Sequence, residues 1–514
     1  MKKVDGAPLK NALVQLENNE DLDHTIVAWT TADGHFELRN LPAGKYKLSV
    51  SRNGYVEAEY GQRKPSDPGV PFLLSQGEYK HDLLFKLIPA AIIAGRVFDE
   101  DGEAVPRARV TASREAYNEG YRTLEWKTIA MTDDLGQFRL FGLAPGRYYV
   151  SAMDRNANLS GDREFTVIPG QGTERGYVKT YYPGTPDVAQ ASVITVDEGE
   201  EVPGTDISLK RVAVYRVRGK IVNQIALKSG SWVDLQLVQR NKRLGWGLGG
   251  GQELRKSDGS FEILDVVPGS YVLSAHWSDE EKSFGTQQRI DVGESDVDGV
   301  TLSIGGGVMI PGRILWDGKP SLERDGLGVN LQPTEGMFTR GGAAVAANQF
   351  VLKDVGEGEY RVLVYGLSKD CYIKNVEYGG AHSSDSTISV SKGGGAQLQV
   401  TISSHGARVQ GAATDSDGLP AAGVWVVAVP DETRRSNFRL FKSQTTDQYG
   451  KFDLHGLAPG SYKLFSWTGI ENNEWEDPDF LKPFEGNGEA VELRDEDSKT
   501  VNLKVIEKKS VGKE

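Results

Sequence analysis

Cysteine is almost absent from this sequence: Cys371 is the one thiol among 514 residues. A single cysteine cannot form a disulfide bond within the chain, so each domain must be held together by its hydrophobic core. The low cysteine content fits a reducing compartment, and it also fits large exported β-proteins that have no disulfides. Cys371 lies in a strand-like run, where a buried thiol behaves as a small apolar residue.

Long apolar runs are also missing. No stretch of about 18 apolar residues occurs, so the sequence predicts no membrane-spanning helix. Lys2 and Lys3 are followed by Asp5 and Gly6 rather than by an apolar stretch, so no signal peptide is visible in this chain. The formal charge is −13, which argues against a nucleic acid partner because phosphate backbones attract clustered Lys and Arg.

Signatures of catalysis are lacking as well. The seven histidines are scattered over the sequence, without the His-Glu-x-x-His spacing by which a helix holds zinc. The Gly-x-Ser-x-Gly elbow of serine hydrolases does not occur. The sequence therefore predicts a protein that is not an enzyme.

One spacing occurs five times along the chain: a Phe, a Gly eight residues later and a Tyr two residues beyond the Gly. A Pro precedes the Gly by one or two residues in four copies, which predicts a strand, a turn and a second strand. The Phe and a Leu or Ile two residues later share one face of the first strand, which places the Phe in the core. The predicted core residues are Phe36, Tyr46, Phe138, Tyr148, Phe261, Tyr271, Phe350, Tyr360, Phe452 and Tyr462.

The intervals between the repeated Phe residues set the domain organisation. They are 102, 123, 89 and 102 residues, too long for a solenoid repeat and suited to β-domains of about 100 residues each. Runs of β-branched and aromatic residues without helical periodicity predict an all-β fold, a tandem array of about five immunoglobulin-like β-sandwiches. The predicted domains, called units 1 to 5, are 1–88, 89–211, 212–305, 306–404 and 405–508, followed by a polar tail, 509–514.

A second marker opens each complete unit, a Gly followed by an alternating run, at Gly95, Gly219, Gly312 and Gly411. Unit 1 has only five residues before its first turn glycine, Gly6. We therefore expect the opening strand of unit 1 to be cut short, and its neighbour to lack a partner along one edge. The hypothesis that follows is a longer native product with an apolar leader upstream, and hence export.

The junctions between units are short. Apolar strand runs such as 87–92 and 209–214 lead directly from one unit to the next, with no linker rich in Gly, Ser or Pro. Such junctions should hold neighbouring units at semi-fixed angles. The sequence thus predicts an extended rod.

The repeated motif resembles the carboxypeptidase regulatory-like domain family. The resemblance rests on an Asp-Gly-type turn, the Phe strand and a Leu-Ala-Pro-Gly-x-Tyr stretch, seen best at 33–46, 137–148 and 451–462, and it covers nearly the whole chain. Unit 4 departs from the pattern, with Glu357 where the Pro should stand. The resemblance implies a transthyretin-like sandwich, grouped with carbohydrate-binding-like folds, that accompanies metallocarboxypeptidases without being catalytic itself.

What the resemblance implies for function is an exported, non-catalytic bacterial surface protein, either a spacer or a scaffold for protein interaction and adhesion. One alternative is an accessory region of a carboxypeptidase or an outer-membrane transporter whose main domain lies outside this chain. Another is a carbohydrate-binding protein. The expected partner is a polysaccharide or a surface or secreted protein, and the expected location is extracellular, at the cell surface or periplasmic.

Loop aromatics are the candidate carbohydrate-binding residues, because flat aromatic faces stack on sugar rings. Trp246 lies in a Gly-rich loop, and Trp475 lies in polar surroundings where a core tryptophan is not expected. Tyr181 and Tyr182 precede a Pro-Gly turn. The alternative for such aromatics is that they cap the end of a sandwich or pack on the next unit.

Asp-rich turns are the candidate metal sites. Asp99 and Asp101 belong to one Asp-Gly turn, Asp415 and Asp417 to another, and paired carboxylates in such loops can bind Ca²⁺. The alternative is the ordinary hairpin turn, in which Asp-Gly is common. No other cofactor is expected.

Overall fold

The computed structural model of the chain describes residues 2–3, 6–18, 21–81, 83–118, 120–154, 175–223, 233–240, 251–254, 258–278, 283–304, 307–322, 326–334, 342–391, 393 and 395–508. Strands dominate these residues, and the helices are a few short turns. The prediction of an all-β fold of sandwich type is confirmed. No helix in the described part of the chain is long and apolar enough to cross a membrane.

Unit 1 contains the strands β1 (Lys2–Lys3), β2 (Leu13–Asn18), β3 (Asp21–Trp29), β4 (Gly44–Ser51), β5 (Ala58–Glu59), β6 (Phe72–Leu74) and β7 (Lys86–Leu87). Its main sheet has the order β3-β2-β4-β5, and β6 also pairs with β4. Buried side chains alternate with more exposed ones along β4, so one face of this sheet packs on the core.

Unit 2 contains β8 (Ala91–Phe98), β9 (Arg109–Asn118), β10 (Tyr121–Met131), β11 (Gln137–Leu143), β12 (Gly146–Met153), β13 (Arg175–Tyr177), β14 (Thr180–Tyr181), the 3₁₀ helix Val188–Gln190, β15 (Ile194–Val196), β16 (Glu201–Val202), β17 (Ile207–Ser208) and β18 (Arg211–Ala213), which reaches into unit 3. The strands β9 and β10 form a long antiparallel hairpin whose tip lies between them.

Unit 3 contains β19 (Tyr215–Asn223), β20 (Val233–Gln239), β21 (Gly251–Leu254), β22 (Ser260–Val266), β23 (Gly269–Ser278), β24 (Ser283–Val292) and β25 (Val297–Ile304). Unit 4 contains β26 (Val308–Asp317), β27 (Leu327–Pro333), β28 (Ala343–Val345), β29 (Gln349–Val355), β30 (Gly358–Tyr365), β31 (Tyr372–Tyr378), β32 (Ala381–Ser383), β33 (Thr387–Val390) and β34 (Leu398–Ser403). Each of these units has two sheets in the described residues.

Unit 5 contains β35 (Ala407–Thr414), β36 (Trp425–Pro430), β37 (Lys442–Thr445), β38 (Lys451–Leu457), β39 (Gly460–Thr468), β40 (Glu489–Leu493), β41 (Ser498–Thr500) and β42 (Leu503–Glu507). Its helices are α1 (Pro478–Leu481) and the 3₁₀ turns Glu432–Arg434, Phe438–Leu440, Glu474–Glu476 and Lys482–Phe484. The strand β42 pairs with both β35 and β39 and so joins the two sheets of this unit.

Units 2 to 5 share one arrangement. The opening Gly strand (β8, β19, β26 or β35) pairs antiparallel with the Phe strand (β11, β22, β29 or β38) and parallel with a strand near the end of the unit. The Tyr strand (β12, β23, β30 or β39) lies inside the second sheet. A separate hydrophobic core lies in each of the five predicted ranges, whose boundaries stay a prediction.

The packing explains why the Tyr of the repeat and the opening Gly recur in the units. Tyr148 is buried, and its hydroxyl donates a 2.7 Å hydrogen bond to the carbonyl of Ala144, four residues earlier, which ties the strand to its turn. The repeat tyrosines of units 1, 3 and 4 make the same bond, at 2.8, 2.8 and 2.9 Å. The opening Gly is needed because a Cβ at Gly411 would lie 1.7 Å from the carbonyl oxygen of Val501.

Phe36 differs from the other repeat residues. The remaining nine are buried, with at most 6% of each side chain exposed, whereas Phe36 is half-buried and packs edge-on against Phe85 with ring centroids 6.4 Å apart. The prediction of a Phe36 core strand is wrong here: residues 35–39 lie outside every described strand, and no described strand pairs with them. Without a partner strand, this segment contributes its ring only to the edge of the core.

Candidate interaction site of unit 5

One sheet of unit 5 is apolar on both faces. All residues of β36 after Trp425 are buried, and β39 is buried from Leu464 to Thr468. Such continuous apolar runs are typical of strands covered on both sides. The inner face belongs to the sandwich core, and the outer face forms a second cluster with Val427, Phe465 and Trp467.

The segment 469–486 covers this outer face. Asp477 caps α1, since its carboxylate accepts a 2.9 Å hydrogen bond from the Asp479 amide, and Pro478 takes the first helical position. Phe480 and Phe484 pack on Trp467, at centroid distances of 5.6 and 6.0 Å. We call 469–486 the cover segment.

Trp475 anchors the cover segment from within. Its side chain is 1% exposed, and its ring centroid lies 4.9 Å from that of Trp425. The expectation that Trp475 is an exposed sugar platform is therefore wrong. Its polar neighbours Glu474 and Asp477 are also buried, since they contact unit 2, while the indole fills the cluster between the cover segment and the sheet.

The acidic side chains of the cover segment contact unit 2. Glu471 pairs with Arg114 at 2.6 Å, and Asp477 pairs with Arg122 at 2.6 Å. The hydroxyl of Tyr117 donates to Glu474 at 3.3 Å. We call these six residues, together with the hairpin tip at Gly120, the 2/5 contact; the Gly120 amide donates to Glu476 at 3.2 Å.

Burial shapes the ionisation of the 2/5 contact. Glu474 is 3% exposed and also pairs with Lys508 of unit 5. Burial raises the pKa of Glu471, and the charge of Arg114 acts in the opposite direction. Burial and the charge of Glu474 raise the pKa of Tyr117, so its phenol stays protonated and acts as a donor.

A separate contact joins unit 5 to unit 1. Asp67 is 3% exposed, and its carboxylate accepts hydrogen bonds of 2.7 Å from both the hydroxyl of Thr468 and the amide of Gly469. Beside it, a Cβ at Gly423 would lie 2.9 Å from the Val70 side chain, so the two units touch closely. A buried carboxylate with two donors holds its position firmly.

Unit 5 also contacts unit 4. His455 Nδ1 lies 2.6 Å from a carboxylate oxygen of Asp370, and Tyr372 donates to Asp495 at 2.9 Å. The guanidinium of Arg361 lies 5.6 Å above the ring of Phe438, which is a cation–π distance.

The predicted extended rod is therefore wrong. A rod would bring unit 5 into contact with unit 4 alone, whereas side chains of unit 5 contact units 1, 2 and 4. The ring of Phe438 illustrates this, since it lies under Arg361 of unit 4 and within 2.8 Å of a Cβ placed at Gly120 of unit 2. The array curls so that its last unit returns to the first two.

Among the other candidate sugar platforms, Tyr181 differs from expectation. Tyr181 is 7% exposed, and burial raises the pKa of its phenol to about 12. Tyr182 is half-buried and packs on the core of unit 2. The expectation that this pair forms an exposed platform is wrong for Tyr181, because β14 pairs with β12 and turns the ring inward. Trp246 lies outside the described residues.

The Asp-rich turns use their carboxylates locally. One oxygen of Asp99 accepts the amides of Asp101 and Glu103, both at 2.9 Å. Asp415 does the same for Asp417 and Leu419, at 3.1 and 2.9 Å. Within the described ranges, no three His, Cys, Asp or Glu side chains lie close enough together to hold a metal ion. Calcium binding at these turns stays a prediction.

A polar cleft of about 450 Å³ lies where unit 3 meets unit 4. Its lining includes Gln287, Thr301, Glu357 and Ser391, together with several glycines. Among the described residues, the lining has hydroxyl, amide and carboxylate groups but no aromatic ring on which a sugar could stack.

Sequence reasoning missed the 2/5 contact. Arg114, Arg122 and Glu471 stand in no motif, and ion pairs between distant segments leave no periodic signal. The cover segment did have a signal: the continuous apolar runs of β36 and β39 indicate a sheet with both faces buried. That pattern requires an additional covering element, and Trp475 lies in it.

Comparisons with known proteins agree with the repeated motif. The carboxypeptidase regulatory-like domain matches residues 2–68 and 92–176. No curated protein matches the chain. The two matched segments lie in units 1 and 2.

Solved structures with similarity to the chain include two streptococcal pilins and one protein of Bacillus anthracis. The minor pilin GBS52 of Streptococcus agalactiae is 18% identical over 40% of this chain and 85% of that chain, with a TM-score of 0.20. The TIE protein of Bacillus anthracis is 10% identical over 97% and 69%, with a TM-score of 0.15. The major pilin RrgB of Streptococcus pneumoniae is 9% identical over 84% and 96%, with a TM-score of 0.14.

These scores are too low to carry over a function. The family match rests instead on sequence, and its Phe, Gly and Tyr positions have the structural roles described above. The model of the carboxypeptidase regulatory-like domain, the family that the repeated motif resembles, thus matches two consecutive segments of this chain, 2–68 and 92–176.

Proposed function

We propose that this protein is a non-enzymatic interaction scaffold, exported and displayed at the cell surface, in which the last unit fixes the relative positions of the others. The observation that carries the proposal is that side chains of unit 5 contact units 1, 2 and 4. A spacer needs only contacts between consecutive units. Contacts between distant units instead hold several sandwich surfaces in one fixed arrangement.

The chemistry of these contacts supports a fixed arrangement. Domains of one chain move relative to each other unless their interface is large or strongly bonded. Here Asp67 and Asp477 are nearly fully buried, at 3% and 5% exposure, and each accepts hydrogen bonds from two directions. Separating the units would leave each of these buried carboxylates without the donors that the other unit supplies, and an unpaired buried charge costs free energy.

Small-angle scattering tests the arrangement. A single compact globule of this length has a radius of gyration of about 24 Å, and a straight rod of five 100-residue domains has one of about 50 Å. We expect a value well below that of the rod. The double variant Asp67→Asn with Arg122→Ala should increase it while the thermal transitions of the units persist. A wild-type value near the rod would contradict the scaffold.

Two further measurements test the location and the lack of catalysis. Protease treatment of intact cells should remove the native protein, as detected with an antibody, while a cytoplasmic marker stays intact. Survival of the protein under conditions that digest a known surface marker would contradict display at the surface. A peptidase assay with added Zn²⁺ should show no turnover, and turnover by the purified chain would overturn the non-enzymatic assignment.

A further inference from the structure

The 2/5 contact is built mainly from ionisable groups. Glu471, Glu474 and Asp477 each contact a charged or phenolic group of unit 2, at 2.6, 3.3 and 2.6 Å. The side chain of Glu471 is 29% exposed, and those of Glu474 and Asp477 are 4% and 7% exposed. Opening this contact would return all three carboxylates to water.

Carboxylates outnumber cations where the two units meet. The hairpin β9-β10 supplies Glu115, Glu125, Arg114, Arg122 and Lys127, besides the phenol of Tyr117. Unit 5 supplies Lys508 after its last strand and five carboxylates from the cover segment, Glu471, Glu474, Glu476, Asp477 and Asp479. Among the described residues, seven carboxylates thus face four cations, so bringing the two surfaces together concentrates negative charge.

Glu471 is the carboxylate best placed to take up a proton. It lies beside the buried Glu474: one oxygen of Glu474 accepts the hydroxyl of Tyr117, and the other accepts the Glu471 amide at 3.0 Å, so a partly buried carboxylate neighbours a buried one. Its single cationic contact in the 2/5 contact is Arg114, whose guanidinium also lies 5.6 Å from the ring of Tyr148. A protonated Glu471 keeps a carbonyl oxygen that still accepts a hydrogen bond from Arg114.

We propose that closing of the 2/5 contact takes up a proton at Glu471, so that mild acid strengthens the docking of unit 2 on unit 5. This inference rests on the proposed scaffold and names its regulation. The scaffold would be tightest in a mildly acidic environment and looser at neutral pH.

The sign follows from the two states of the contact. In the open form Glu471 is hydrated and titrates near its ordinary pKa of 4.5, whereas burial in the closed form raises that pKa. Between these two values the closed form binds a proton that the open form does not. The closed form therefore becomes more stable relative to the open form as pH falls through the raised pKa of Glu471. This added stability is complete once the pH is below the ordinary pKa.

The experiment uses the full chain with one dye in unit 2 and one in unit 5. Asp134→Cys and Glu489→Cys place the dyes on exposed positions, in a Cys371→Ala background. Energy transfer measured from pH 7.5 to pH 5 gives the ratio of closed to open molecules. We expect the ratio to rise several-fold, up to about tenfold for each pKa unit by which closing raises the pKa of Glu471.

Two variants identify the group. Glu471→Gln mimics the protonated side chain, so its closed fraction should be high and independent of pH in this range. Glu432→Gln makes the same charge change on an exposed position of unit 5, and its titration should match the parent. As a second readout, hydrogen exchange at the Gly120 amide, which donates across the contact, should slow with the closed fraction after correction for pH.

The outcomes separate the two proposals. No closed population at any pH would contradict the scaffold. A closed population that does not depend on pH, or that falls as pH is lowered toward 5, would overturn the proposed proton uptake at Glu471 and leave the scaffold proposal intact. A Glu471→Gln variant that titrates like the parent would also overturn the assignment to Glu471.

Discussion

Arg122 and Asp477 meet across 355 positions of the chain: the guanidinium Nε donates a 2.6 Å hydrogen bond to one carboxylate oxygen of the aspartate. The other oxygen of Asp477 accepts the amide of Asp479 and so caps α1. One buried side chain thus starts the helix of the cover segment and holds unit 2 against unit 5. The two roles can be separated by substitution.

Arg122→Ala should weaken the 2/5 contact and leave α1 in place. We expect a loss of about 1.5–3 kcal/mol, the usual contribution of a hydrogen bond to a charged group. Asp477→Ala should cost about 1 kcal/mol more, because the cap is lost too. Energy transfer between dyes at positions 134 and 489 measures the closed fraction of both variants. Arg139→Ala breaks an exposed pair with Glu201 and should leave the closed fraction unchanged; an equal effect would argue against a specific 2/5 contact.

Trp475→Ala should destabilise unit 5 rather than abolish sugar binding. Emptying a site that is 1% exposed leaves a cavity, at a cost of about 3–5 kcal/mol in the unfolding of this unit. Chemical denaturation followed by near-ultraviolet circular dichroism measures the loss. Trp126→Ala, at a position 64% exposed, is the matched control and should change stability little. Unchanged stability of Trp475→Ala would contradict the buried position.

The repeat Phe residues should not be equivalent. Phe452→Ala removes a side chain that is 3% exposed in a paired strand, so we expect a loss of about 3–5 kcal/mol in unit 5. Phe36→Ala removes a half-buried ring outside any described strand and should cost clearly less in unit 1. Hydrogen exchange resolved by unit distinguishes them. Equal losses would show that Phe36 is a full core residue in solution.

Asp453 should make unit 5 sensitive to strong acid. Two hydrogen bonds from Arg408, of 2.6 and 2.7 Å, lower the pKa of Asp453 to about 2, and His455 contributes further. A lowered pKa stabilises the folded form above the ordinary value of 3.8, and this contribution is lost as pH falls from 3.8 toward 2. Asp453→Asn should make the melting temperature of unit 5 less dependent on pH between 3.8 and 2. Glu489→Gln serves as the control, and a parent-like slope in Asp453→Asn would count against the pair.

Local chemistry in the sequence accounts for the repeated fold. Phe, Gly and Tyr recur at fixed spacing because one strand, one turn and the next strand interlock within about a dozen residues. The bond from Tyr148 to Ala144 is an example that closes within five positions. The opening glycines also follow from contacts inside one unit. Such short-range requirements leave a periodic pattern, so the all-β fold and the resemblance to the carboxypeptidase regulatory-like domain could be predicted.

Only the tertiary structure decided how the units sit and which aromatics are exposed. Trp475 has polar neighbours in the sequence, yet it is buried, because the face it covers lies on β36 and β39, which themselves are apolar on both sides. Arg122 and Asp477 are ordinary charged residues until the curled array brings them within 2.6 Å. Contacts between distant units depend on the angles at every junction. Those angles are set by side-chain packing, which produces no regular spacing of residues that could be recognised in the sequence.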